Sequence, residues 1–157
     1  MMLNVITDIF KPNEKVDPLF GVVKFHRTFI IVGAGFWRGK VNFVPTGNLV
    51  EISVSAGKSG ILETQRDFYR QIQQRYADII DGTHKILHET LRQYMPTWFS
   101  EYTHEEILDD CELDSIYIPD LRETKAEWSL SFMYVPHKQS YSIYFDDWKP
   151  IYGQFND

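Results

Sequence analysis

His84 and His88 stand four residues apart in a stretch with a helical pattern, and Glu89 lies beside them. On a helix that spacing aims both imidazoles at one point, as a divalent metal requires. A metal site needs three or four ligands, and the glutamate follows the second histidine, so the His-Glu-x-x-His order of zincins is absent. We expect a surface histidine pair, with no metal. Asp146 and Asp147 could supply acid/base carboxylates, but neighbouring strand residues point to opposite faces. A turn at a strand end explains them better. Cys111 sits among Asp109, Asp110 and Glu112. Negative neighbours disfavour its thiolate, so it is a poor nucleophile. Gly33-Ala-Gly35 opens like a dinucleotide loop, yet the residues that follow are strand-like and a third glycine is missing. Without a helix N-terminus there is no phosphate site. Arg66, Arg70 and Arg75, with Gln73 and Gln74, could contact phosphate, but Glu63 and Asp67 are spaced to neutralise Arg70. No residue set has the spacing of a catalytic centre, and no cofactor is expected.

The acidic residues point elsewhere. Between Glu101 and Asp120 lie eight carboxylates and no Lys or Arg, in a chain of 22 acids and 16 bases. That stretch contains the whole negative excess of the net charge of -6. Such segregation suits a surface that docks a basic partner. A solvated acidic loop that aids solubility is the plainer alternative. Glu105, Glu106, Asp109, Asp110, Glu112 and Asp114 are the candidate partner-binding carboxylates. Trp98 and Tyr102, just before them, are candidate aromatic anchors. Phe99 reads better as a core residue.

The elements that must position these residues form three regions. From residue 19 to 56 the chain is β-rich. Strands are expected over 20–25, 28–37, 40–44 and 49–55, with turns at Arg38-Gly39 and at 45–48 and a bulge near Gly33 and Gly35. In the last strand Val50, Ile52 and Val54 alternate with Glu51, Ser53 and Ser55, so one face is buried and one is wet. Short links imply a β-meander. From Leu62 to Tyr94, apolar residues recur at helical spacing, with Arg and Gln between them. Gly82 sits mid-pattern, which predicts one kinked helix or two helices meeting there. Thr103 to Glu106 has the form of a capping box and should open a short helix through about Cys111. Residues 115–118 form a short strand, and 128–135 pairs with 141–145 as a hairpin. The order strands, helix, strands predicts an α+β fold. Its antiparallel β-sheet comprises a β-meander and a β-hairpin, with the helices packed on one face.

Length and composition bound the rest. A chain of 157 residues without repeats or linkers reads as one domain over 1–157. One cysteine excludes an internal disulfide and any multi-cysteine zinc site, which favours a cytoplasmic location. The first residues show no secretory signal, and no apolar run reaches membrane-spanning length. The acidic balance disfavours nucleic acid and membrane surfaces as partners.

Asp17-Pro-Leu-Phe-Gly21, Trp37-Arg-Gly39 and Gln65 resemble the Asp-x-x-Phe-Gly strand start, Trp-x-Gly turn and Gln-bearing helix of a group of small, uncharacterised bacterial proteins. The resemblance covers residues 17 to 95. Some members of such groups look like immunity proteins that neutralise toxins, and no binding residue is carried over from them. The leading expectation is therefore an immunity protein that covers the cationic groove of a basic toxin domain, such as a nuclease. The alternative is a structural or regulatory interaction module that self-associates through an edge strand or the aromatic sheet face. An enzyme with unrecognised chemistry ranks third.

Overall fold

The computed structural model describes residues 13–27, 35–94, 106, 109–123 and 127–156. Eight strands form a single sheet in sequence order: β1 (Glu14–Asp17), β2 (Gly21–Arg27), β3 (Gly35–Phe43), β4 (Asn48–Ser55), β5 (Cys111–Ile118), β6 (Trp128–Tyr134), β7 (Gln139–Asp146) and β8 (Lys149–Asn156). Two helices, α1 (Glu63–Gln74) and α2 (Tyr76–Tyr94), lie between β4 and β5 in the chain. All neighbours pair antiparallel except β4 and β5, which run parallel with Ile52 opposite Ile116 and Val54 opposite Ile118. Parallel neighbours cannot be joined by a tight turn, so the helical segment is the connection this seam requires. The class is α+β.

Turn chemistry fixes the first strands. Asp17 Oδ1 accepts the Leu19 and Phe20 N–H groups at 2.9 and 3.1 Å, and Gly21 takes φ +67° where a side chain would be strained. Between β3 and β4, the Phe43 carbonyl accepts the N–H groups of Thr46 and Gly47, the expected turn.

Three boundaries differ from expectation. No turn falls at Arg38-Gly39, because β3 runs straight through them. A Cβ at Gly39 would lie 2.9 Å from the Val22 carbonyl, so this glycine serves strand approach and does not reverse the chain. The helix break is at Arg75, while Gly82 lies inside α2. The Arg75 N–H still bonds the Gln71 carbonyl, and its guanidinium lies 4.2 Å over the Trp148 ring. Cys111 begins a strand and does not end a helix, so β5 is four residues longer than expected at its start. Of the expected short helix, Glu106 and Asp109 have helical backbone. Thr103, the N-cap of its capping box, lies outside the described residues. Strands β1 and β8 were not expected at all.

Buried side chains line one face of the sheet. Across the register they include Phe25, Trp37, Val54 and Ile118, then Val41 and Val50, then Ile52, Ile116, Leu130 and Ile143. Helical rings meet this stripe: Tyr69 and Tyr76 pack edge-on against Phe43, and Phe68 against Trp128. Within α1 and α2 the buried positions include Tyr69, Ile72, Ile79, Leu87 and Leu91, the expected apolar period. Gln65 is fully buried beside them. Its amide donates to the carbonyls of Ser55 and Pro119, each at 2.8 Å, and its Oε1 accepts the Leu62 N–H. One side chain thus ties the ends of β4 and β5 to the start of α1. No described helix is long and apolar enough to cross a membrane.

Candidate functional site

The face opposite the buried stripe is set by the period of two. On β4 to β8 its positions are Ser53 and Ser55, Ser115 and Tyr117, Ser129 and Ser131, Ser140, Ser142 and Tyr144, then Tyr152 and Asn156. The hydroxyls bond one another: Ser131 Oγ lies 2.7 Å from Ser142 Oγ, and the Asn156 amide donates to Ser140 and Ser142 at 3.0 and 2.9 Å. Tyr144 and Tyr152 stack at 4.6 Å, and Tyr152 and Tyr117 are 43% and 36% exposed. The signal was present in the sequence as Ser-x-Ser in three strands, read there only for β4.

Carboxylates border this face. In β5, Leu113 and Ile116 are both buried although three residues apart, because a bulge between Leu113 and Ser115 adds a residue. The bulge turns both Asp114 and Ser115 away from the core. Glu112, opposite Met133, is exposed, and Asp109 is exposed just before the strand. The Asp110 carbonyl accepts the Val135 N–H at 2.9 Å, which anchors the start of β5 to the end of β6. None of Asp109, Asp110, Glu112 and Asp114 forms an ion pair with another described residue. Glu106 is exposed. Glu105, Trp98 and Tyr102 lie outside the described residues, as does Phe99. Asp120, at the far end of the acidic stretch, is paired with Arg122, which lowers its carboxyl pKa.

The other candidates resolve by their surroundings. Burial, and then Asp110, push the Cys111 thiol up to about 12, so it stays protonated. Glu89 pairs with Lys85 at 3.9 Å, and no group of three or more His, Cys, Asp or Glu among the described residues could hold a metal. Asp147 has φ +52° in the tight β7–β8 turn, where the backbone of Asp146 lies in register with Lys149. Arg70 is paired with Glu63 and Asp67. Arg66, a possible phosphate contact by sequence, reaches the buried Asp17 at 2.8 Å.

Comparison with protein-family models, with curated proteins and with solved structures gives no match to this chain.

Proposed function

We propose that this chain is a protein-binding protein that receives a basic partner on the hydroxyl-rich sheet face and its acidic border. The observation that carries this reading is the placement of Asp109, Asp110, Glu112 and Asp114. Glu112 and the bulged Asp114 are exposed on the strand that carries Tyr117, Asp109 is exposed just before it, and none of the four has an ion-pair partner among the described residues. Unpaired carboxylates raise the encounter rate with a cationic protein. Tyrosine and serine supply contact area and adaptable hydrogen bonds at low entropic cost, as they do in antibody paratopes. The resemblance to immunity-like proteins suggests the kind of partner, a basic toxin domain such as a nuclease, bound in the cytoplasm.

A second reading rests on the sheet margin. Strand β8 pairs only with β7 among the described strands, and Ile151 and Tyr152 are exposed on it. Edge-to-edge self-association would use that strand.

The test is a pull-down from the source organism's lysate with wild type beside an Asp109→Lys, Asp110→Lys, Glu112→Lys variant. These residues are at the surface, so the variant should melt within a degree or two of wild type while losing about tenfold or more in partner affinity. A basic protein retained only by wild type, and released by salt, supports the proposal. Equal capture by both sinks it. Concentration-dependent dimerisation with nothing captured favours the β8 edge.

A further inference from the structure

Tyr152 stands on the open face of the sheet, because its neighbour Gly153 faces Thr90 of α2 on the packed side. Its ring stacks on that of Tyr144 with centroids 4.6 Å apart, yet 43% of the residue stays exposed. The stack holds the ring in place, and its hydroxyl donates to Glu127 Oε2 at 3.1 Å. Burial first, and then Glu127, raise the pKa of this phenol, so it remains a donor. Glu127 precedes the buried Trp128 and Asp146 follows the buried Phe145, so alternation turns both carboxylates to the open face. They stand one step beyond the Trp128–Phe145 pair, on neighbouring chain segments. The Trp128 indole N–H donates to the Asp147 carbonyl, which fixes this corner. Both carboxylates are exposed. Lys149 is in register with Asp146, but neither carboxylate forms an ion pair among the described residues. A hydrogen bond from a neutral phenol leaves the charge of Glu127 in place. An exposed ring with two unpaired carboxylates at its edge fits a flat cation. A guanidinium stacks on aromatic rings and offers carboxylates a planar fork of N–H donors, whereas an ammonium is a compact point charge.

We propose that Tyr152, Glu127 and Asp146 seat an arginine side chain of the basic partner, the guanidinium pairing with the two carboxylates while its stem lies across the Tyr152 ring. This rests on the protein-binding reading of the sheet face. The seat is distinct from the acidic border: Asp109, Asp110 and Glu112 sit at the other end of β6, where Cys111 pairs with Tyr134. At ~3.3 Å per residue the two are about 20 Å apart along the strands, so the partner would be held at both ends of the face.

The test is titration of the whole chain with N-acetyl-arginine amide, followed by amide and tyrosine-ring chemical shifts. The matching lysine amide and the citrulline amide, which keeps the shape without the charge, are the comparators. The expected result is saturable shifts at Glu127, Tyr144, Asp146 and Tyr152, with the lysine amide at least about threefold weaker and no saturation by citrulline. Glu127→Gln and Asp146→Asn keep an oxygen acceptor and remove only the charge. Each should weaken arginine about fivefold while melting with wild type. Tyr152→Leu should weaken it about threefold. The proposal is overturned by a wild type without saturable shifts, by shifts confined to Asp109–Asp114, by equal binding of lysine, or by a folded Glu127→Gln protein with wild-type affinity. The two failures are separable. Partner capture that depends on Asp109, Asp110 and Glu112, with no such shifts, keeps the surface and removes the seat. These shifts with nothing captured keep the seat and remove the protein-binding reading.

Discussion

Asp17 does two jobs with one carboxylate. Its Oδ1 closes the β1–β2 turn through the N–H groups of Leu19 and Phe20, and both oxygens take hydrogen bonds from Arg66 on α1. Burial alone would raise its pKa. The Arg66 hydrogen bonds and the two backbone N–H groups outweigh burial and hold it below the ordinary 3.8. A lowered folded-state value means that the stabilisation is present above pH 3.8 and is lost as pH falls through the folded pKa. Asp17→Asn keeps an oxygen for the turn and loses the ion pair, so it should cost about 1–2 kcal/mol; Asp17→Ala loses both and should cost about 3–4 kcal/mol. Thermal melts from pH 7 to 3 check this. Wild type should lose part of its advantage over the Asn variant as the pH drops below 4, and a constant gap would show that the charge contributes nothing. The sequence offered Asp17 only as part of the Asp-x-x-Phe-Gly strand start, and its role in closing a β1–β2 turn was not read there. Residue types also hid its partner, because Arg66 and Gln65 look like the solvated side of an amphipathic helix until tertiary neighbours appear 49 and 54 residues away.

Among the elements, α2 and β8 depend on each other through a close approach at Gly153. A Cβ at Gly153 would collide with the Thr90 hydroxyl, itself bonded to the Ile86 carbonyl. Gly153→Ala should therefore push α2 away from the sheet and cost about 1–3 kcal/mol, read as a lower melting temperature and faster amide exchange in β8. An unchanged melt would mean that the helix shifts freely. Alternation and helical period, which depend on neighbours in sequence, made β4, β6, β7 and the helical face legible. Strand β8 was missed because Pro150 and Gly153 weaken its propensity, and it is fixed by pairing with β7 instead. The Arg75 break was missed for a related reason, since Trp148 is distant in sequence. The acidic border was legible as charge, but its placement beside the serine face needed the β5 bulge.

Over the whole molecule, charge divides along the chain. Described residues 13–94 have eight carboxylates and eleven Lys or Arg, whereas described residues 109–156 have nine and three. The acidic half is also the half with the Ser/Tyr face. The two halves of the sheet meet only at the parallel β4–β5 seam, and that junction governs how the chain can fold. Each meander is built from near neighbours in sequence and can form early, but the seam joins strands 55 residues apart. Closing a flexible loop of that length costs about 3–4 kcal/mol on the (3/2)RT ln n scaling, before any seam contact repays it. The docking of one meander against the other should set the folding rate. Ile116→Val, at a fully buried seam position, should remove about 1 kcal/mol and slow refolding in stopped-flow traces while leaving unfolding almost unchanged. The reverse pattern would place the seam after the barrier. If the seam is the barrier, each half waits on the other, and a chain interrupted before β5 would expose Ile52 and Val54 as an open sheet edge until its second meander arrived.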